Sequence, residues 1–336
     1  MKKAITLKDI AKKLNMSIST VSKALNNDET ISQLTRQRVQ AAAQEVNYVP
    51  NEAARNFKLS KTYTISLIIP NLLDQFFVLA INGVEAIAKE KKYNVIFSQS
   101  QEDIEVEDKI LQLMIRNRVD GMIVVLSKNK VDMKIFDKME ALGIPVVFIA
   151  RKPADELCNY VVSDNEAAAF DATEYLIDKG HTRIAHLMGP ALLRNSRLRC
   201  QGYKDALKKH NIPVDEKLVK EVDFSKPSIA RAMQQLMKLS KPPTAAFVYK
   251  TYVALDAIEF LKKSMPDKLE KIDFIGFGNL PLLQHLDHKP VASIEENSFE
   301  MGELAAKLLF KLIESDNGSP RPPVQHIYVA HKLVEH

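Results

Sequence analysis

Residues 15–26, NMSISTVSKALN, gather Ser17, Ser19, Thr20 and Ser22 in one short run and follow them with Lys23. Small hydroxyl side chains compete with helical hydrogen bonding and lower helix propensity. A short helix carrying this many of them is either a decorated, exposed helix of an ordinary bundle or one that meets a polar surface such as DNA. Hydroxyls bond phosphates and either kind of base edge, and a long basic side chain reaches guanine. Other chemistries find less support. No GxGxxG, Walker loop, HExxH or GxSxG occurs, and the eight histidines all lie beyond residue 180. His181 sits in DKGHTRIAH as a helix-to-strand connector, and His285, His288, His326 and His331 lack metal-ligand spacing. The chain is therefore not expected to be an enzyme, and nothing in it calls for a cofactor or a metal.

Charge locates the polar task. Residues 1–60 hold ten Lys/Arg and five Asp/Glu, whereas the remaining 37 basic and 37 acidic residues cancel. All of the formal excess of +5 thus falls in the first sixth of the 336 residues. A basic end on a neutral body suits a phosphate-binding module joined to something else. The length suggests two or three domains. Without a long apolar run or an apolar signal core, the reading is a soluble, cytoplasmic protein with no membrane partner. Cys158 and Cys200 read as two ordinary thiols.

The elements that position these residues follow from caps and periodicity. Thr6-Leu7-Lys8-Asp9 has capping-box spacing, and Leu7, Ile10, Ala11 and Leu14 form one apolar stripe. Asn15-Met16 suits a tight turn. Ser17 can cap a second helix with Val21, Ala24 and Leu25 inward, leaving Ile18, Ser19, Ser22 and Lys23 outward. Ser32 can cap a third, with Leu34, Val39 and Val46 inward. Two short helices joined tightly and braced by a third make the helix-turn-helix plan. Beyond residue 62, TISLIIP, YNVIFS, GMIVVL, IPVVFI, NYVVS, RIAHLM, AAFVY and DFIGF are short apolar runs, most of them separated by amphipathic helical stretches. That alternation predicts parallel sheets covered on both faces, here two doubly wound α/β subdomains.

TLKDIAKKLNMSISTVSKALN, followed by TRQRVQAAAQEVNYVPNEAARNF, resembles the headpiece of the lactose-repressor (LacI/GalR) family of bacterial transcription regulators. IIPNLLDQFF, RVDGMIVV, PVVFIAR, SRLRCQGY and IGFG continue the likeness along nearly the whole chain. The resemblance implies an all-α helix-turn-helix headpiece at 1–49 and a hinge helix and linker at 50–61. The core would have the type 1 periplasmic-binding-protein fold, the chain crossing between subdomains three times. Its N-subdomain is expected at 62–160 plus about 292–320, and its C-subdomain at 161–291 plus about 321–336. The implied function is repression through a palindromic double-stranded DNA operator bound by a homodimer, under control of a small molecule in the core cleft. The alternatives are a regulator whose core has lost its effector, and a solute-binding receptor, which would need export and no headpiece. The tail QHIYVAHKLVEH lacks the heptads of a tetramerising coiled coil.

The DNA contacts implied are Thr6, Ser17, Ile18, Ser19, Thr20, Ser22, Lys23, Asn26 and Tyr48, with Asn51, Ala54 and Phe57 from the hinge. Phe57 stands where relatives carry a Leu that wedges a central base step. In the cleft the implied set is Asp74, Phe76, Phe77, Ser127, Arg151, Asp164, Arg197, Lys250, Thr251, Gly278 and Asn279. Sugar-responsive relatives carry acids and amides where this chain has Ala150, Lys250-Thr251 and Gly278. With Arg197 and Lys250 facing one another, the effector expected is an anion such as a sugar acid or a phosphorylated sugar.

Overall fold

The computed structural model describes residues 5–48, 61–128, 130–153, 157–315 and 322–336. Thr6 opens the first helix, α1 (Leu7–Leu14), as a capping box: the Asp9 N–H donates to its hydroxyl and the Asp9 carboxylate accepts from its N–H. Asn15 ends the helix at φ 55°, ψ 45°, the left-handed region that Asn tolerates. Ser17 caps α2 (Ile18–Leu25) and Ser32 caps α3 (Gln33–Glu45), each accepting a backbone N–H three residues on. Ile10, Ala11, Val21, Ala24, Val39 and Ala43 form the small core of this unit. Leu34, expected inward, is 78% exposed. The stripe that packs is Val39, Ala42, Ala43 and Val46, at i, i+3, i+4 and i+7, and Leu34 falls off its side.

Residues 63–336 form a second unit. Among the described residues its strands make two six-stranded sheets. The first holds β1 (Thr64–Ile69), β2 (Asn94–Gln99), β3 (Gly121–Val124), β4 (Val146–Ile149) and β5 (Asn159–Ser163), joined by β11 (His326–Val329) in the order β11-β5-β4-β3-β1-β2. The second holds β6 (Ile184–Met188), β7 (Val219–Glu221), β8 (Ala245–Val248), β9 (Asp273–Phe277), β10 (Ala292–Glu295) and β12 (Lys332–Glu335), ordered β12-β10-β9-β8-β6-β7. All pairings are parallel except β10 with β12. We call these the N-terminal and C-terminal lobes. Near-continuous apolar strands are what sheets covered on both faces require, and β1, β3, β6 and β8 are buried almost throughout.

The longer helices follow in chain order: α4 (Gln75–Glu90), α5 (Ile104–Arg116), α6 (Lys134–Ala141), α7 (Asn165–Asp178), α8 (Arg194–Lys209), α9 (Lys226–Met237), α10 (Thr251–Ser264) and α11 (Ser298–Ser315). On one face of the N-terminal lobe α4 crosses α11 where Gly83 meets Gly302. A Cβ on either would lie 2.1 Å from a carbonyl oxygen of the other helix, Phe299 O or Ala80 O. The chain passes between lobes three times, after β5, between β10 and α11, and between β11 and β12. These crossings fall later than 160, 291 and 320. The strand β10 joins the C-terminal sheet and β11 the N-terminal one, opposite to the division expected from the sequence. Strands of four residues carry no mark of which sheet they complete.

A histidine lies in the core of the C-terminal lobe. His186 on β6 is fully buried, stacked 4.6 Å from the Phe247 ring and 5.2 Å from Tyr203. Its Nδ1–H donates to Phe247 O at 3.0 Å. Burial lowers its pKa from 6.5 to about 4. Between those values the unfolded chain binds a proton that the folded protein refuses, so stability is lost as pH falls. Urea unfolding from about pH 7.5 to about pH 4.5 should cost the wild type roughly 2–3 kcal/mol more than His186→Phe. Equal pH dependence in the two proteins would show that His186 takes up its proton without unfolding.

Candidate functional site

On the first unit the outward face of α2 is built as its capped N-terminus requires. Ile18 is 48% exposed, Ser19 and Lys23 are exposed, and Ser22 is half-buried. Three of the hydroxyls are already engaged: Thr20 Oγ1 shares a hydrogen bond with Ser17 Oγ at 2.8 Å, and Thr6 Oγ1 donates to Asp9. The Lys23 amine leans back to Thr30 Oγ1 at 3.4 Å and to Asp28 at 4.0 Å, a loose exposed pairing. The Asn26 amide donates to Ser22 O, and Tyr48 packs against the headpiece core. Asn51, Ala54 and Phe57 lie outside the described residues.

In the second unit a cleft of about 280 Å³ opens between the lobes at the carboxyl ends of the strands. Doubly wound sheets bind ligands in this position, beyond the strand ends at the switch in strand order. Asp74, Phe76, Phe77, Arg151, Lys250, Gly278 and Asn279 line it. Asp74 caps α4 by accepting the Phe76 N–H at 3.1 Å, which fixes its carboxylate at the cleft mouth. Three residues expected there do other work. Ser127 is buried below the cleft, its N–H donating to Glu107 at 2.6 Å. Asp164 is exposed and caps α7 at the first crossing between lobes. Thr251 is buried and donates to Gly278 O at 2.6 Å, holding the turn rather than lining it.

Arg197 is the larger correction. Its guanidinium turns away and donates to Ala191 O and Leu192 O on the neighbouring loop. Arg199, two residues on, lines the cleft instead and is 4% exposed. Its Nε donates to Asn165 at 2.7 Å, one terminal nitrogen to Tyr249 O at 2.5 Å and the other to Glu296 at 2.9 Å. The group lies 3.5 Å from the Phe277 ring centre and 4.5 Å from that of Tyr249. The signal that finds it is periodicity. Arg199, Gly202, Tyr203, Ala206 and Leu207 are spaced i, i+3, i+4, i+7 and i+8 and are all buried, whereas Arg197 sits off that stripe.

The electrostatics follow from these pairs. Burial raises the Glu296 pKa, and Arg199 opposes that rise without cancelling it. Burial works against ionisation of Glu102 too, but Arg151 and Lys128 together outweigh it and hold the carboxyl below its usual range. Arg151 donates to both Glu102 oxygens, at 2.9 and 2.6 Å, and to Leu126 O at 2.6 Å. Lys250 stands 3.6 Å from Asp74 Oδ2. Arg151, Arg199 and Lys250 therefore each already face a carboxylate, and the expected pair of unanswered cations does not form. Phe224, Tyr249, Tyr252 and Phe277, which sequence reasoning missed, give the cleft aromatic walls. Phe224 and Tyr249 follow β7 and β8, Tyr252 opens α10 and Phe277 ends β9, so they meet only because the sheet brings its strand ends together.

Removing Arg199 leaves Glu296 buried without its partner. Arg199→Met should lower unfolding free energy by about 3 kcal/mol, while Arg197→Ala should stay within about 0.5 kcal/mol of wild type. Urea denaturation of the full chain decides between them, and a larger loss in Arg197→Ala would reverse the assignment.

Comparison with known proteins agrees with this geometry. Residues 6–51 match the model of the bacterial regulatory proteins of the lacI family, and residues 62–332 that of the periplasmic binding proteins and sugar binding domain of the LacI family. The transcriptional repressor CytR of Escherichia coli is 36% identical over 94% of this chain and 91% of its own. Catabolite control protein A of Priestia megaterium is 30% identical, covering 93% of each. The lac repressor dimer bound to operator and an anti-inducer shares the fold, with a TM-score of 0.83 at 23% identity over 99% of this chain and 98% of that one. Matched along both of its units, the chain belongs to the LacI family of bacterial transcription regulators.

Proposed function

We propose that this protein represses transcription by binding a palindromic DNA operator as a homodimer, with a small molecule in the core cleft setting its operator affinity. As a LacI-family member it is a DNA-binding regulator, and the observation that carries the detailed reading is the exposed face of α2. There Ile18 and Ser19 stand exposed in the first turn, at a helix N-terminus that favours phosphate, and Lys23 lies exposed in the last turn. Two features support a dimer. One headpiece covers too little DNA for high specificity, and twofold symmetry matches a palindrome. The edge strand β2 also leaves Ile96 41% and Phe97 47% exposed, apolar surface that a second copy would cover.

For the effector, the pairing of Arg151, Arg199 and Lys250 with acids removes the argument for an anion, which would compete with carboxylates already in place. The reading the cleft supports is a neutral, sugar-sized molecule. Its polar edge would meet Asn195 and Asn279, and its apolar face would rest on Phe224 or Tyr252.

Selection of random duplex DNA on the full-length protein tests the regulator. It should enrich inverted repeats whose binding weakens steeply with salt. Lys23→Ala should relax one position per half-site, at a cost of about 1–3 kcal/mol there. Equal loss on selected and random DNA would mean that Lys23 touches phosphate alone, and failure to enrich a symmetric site would overturn the dimeric reading. Calorimetry with matched neutral and acidic sugars tests the cleft: tighter binding of the acid would reverse the charge preference.

A further inference from the structure

Contacts tie the C-terminal lobe to the N-terminal lobe across the cleft. The Lys250 amine stands 3.6 Å from Asp74 Oδ2. Asn195 Nδ2 donates to Ala150 O at 3.1 Å, and the Tyr252 hydroxyl meets the backbone of Gln75. Ala150 holds φ 63° at the end of β4, a left-handed backbone that a non-glycine residue adopts only when its surroundings hold it there. Lys250 is aimed from its own side. Its amine lies 4.8 Å from the Phe224 ring centre and 5.7 Å from that of Tyr252, both in the C-terminal lobe. Asp74 is aimed from the other: Oδ1 accepts the Phe76 N–H, which leaves Oδ2 to face the amine. Both side chains are 27% exposed, so solvent screens their attraction less than it would at an open surface.

We propose that Lys250 is a tethered strut: its amine takes, from within the chain, the place of a ligand group bridging the lobes, and holds the unliganded cleft closed on Asp74. The proposal rests on the reading of this cleft as the effector site. Ligands in such clefts favour closure by touching both walls, and a lysine fixed in one wall does the same at an effective concentration that no free solute reaches. It also makes Asp74 selective. A cationic effector would have to displace Lys250, whereas a neutral one binds beside the pair and adds to it.

Hydrogen exchange of the ligand-free full chain tests the strut without DNA or effector. Lys250→Met and Asp74→Asn each remove the pair, and the amide introduced by Asp74→Asn still caps α4 through its oxygen. Each variant should raise exchange about fivefold in residues 148–152 and 190–195, which meet across the cleft on segments separate from both substituted residues. Strands β1 and β8 should stay protected as in wild type, which also reports that the variants fold. The double variant should equal the single ones. Unchanged exchange in the single variants, or additive effects in the double, would overturn the proposal. A working strut in a protein that binds none of the sugars tested would sink the effector reading and leave the strut standing.

Discussion

A guanidinium taken out of water needs acceptors on every side, and Arg199 is answered by four segments at once. Asn165 opens α7, Tyr249 follows β8, Phe277 ends β9, and Glu296 lies on the crossing before α11. Desolvating a charge costs several kcal/mol, recovered only when the partners are fixed in place. The ends of β8 and β9, the start of α7 and the crossing segment are therefore held in register by one side chain. The floor of the cleft in the C-terminal lobe is rigid for that reason, and the aromatic walls are positioned on it.

The N-terminal lobe solves the same problem with separate parts. Arg151 is gripped by Glu102 and Leu126 O, while Glu102 also accepts the Lys128 N–H at 2.9 Å. Beneath them Glu107 is wholly buried, with the Ser127 N–H on one oxygen and Lys130 at 3.9 Å from the other. Burial raises the Glu107 pKa, and the Ser127 and Lys130 contacts only partly offset it. Ser127 thus serves the support of the cleft, although its place in the sequence suggests the lining.

What the sequence made legible was whatever repeats or caps locally. Thr6, Asn15, Ser17 and Ser32 mark the headpiece helices because each makes a bond within three or four residues of itself. The β-branched runs mark the buried strands because both faces of a covered sheet must be apolar. Residues whose role depends on a distant partner were harder. Nothing near Lys250 in the chain announces Asp74, and nothing near His326 announces Tyr160, its partner in the pairing of β11 with β5. The two arginines of SRLRCQGY form the intermediate case: the helical stripe distinguishes them, but only once Gly202 and Tyr203 are taken as inward.

Two of the three passages between lobes are also joined to one another. Asn297, on the second, donates its side-chain amide to Ala330 O on the third at 2.7 Å. Connections laced side by side resist sliding and stretching but leave rotation about their common line nearly free. The two lobes accordingly keep one soft degree of freedom between them, the angle of the cleft. A change in that angle is the motion this lacing opposes least.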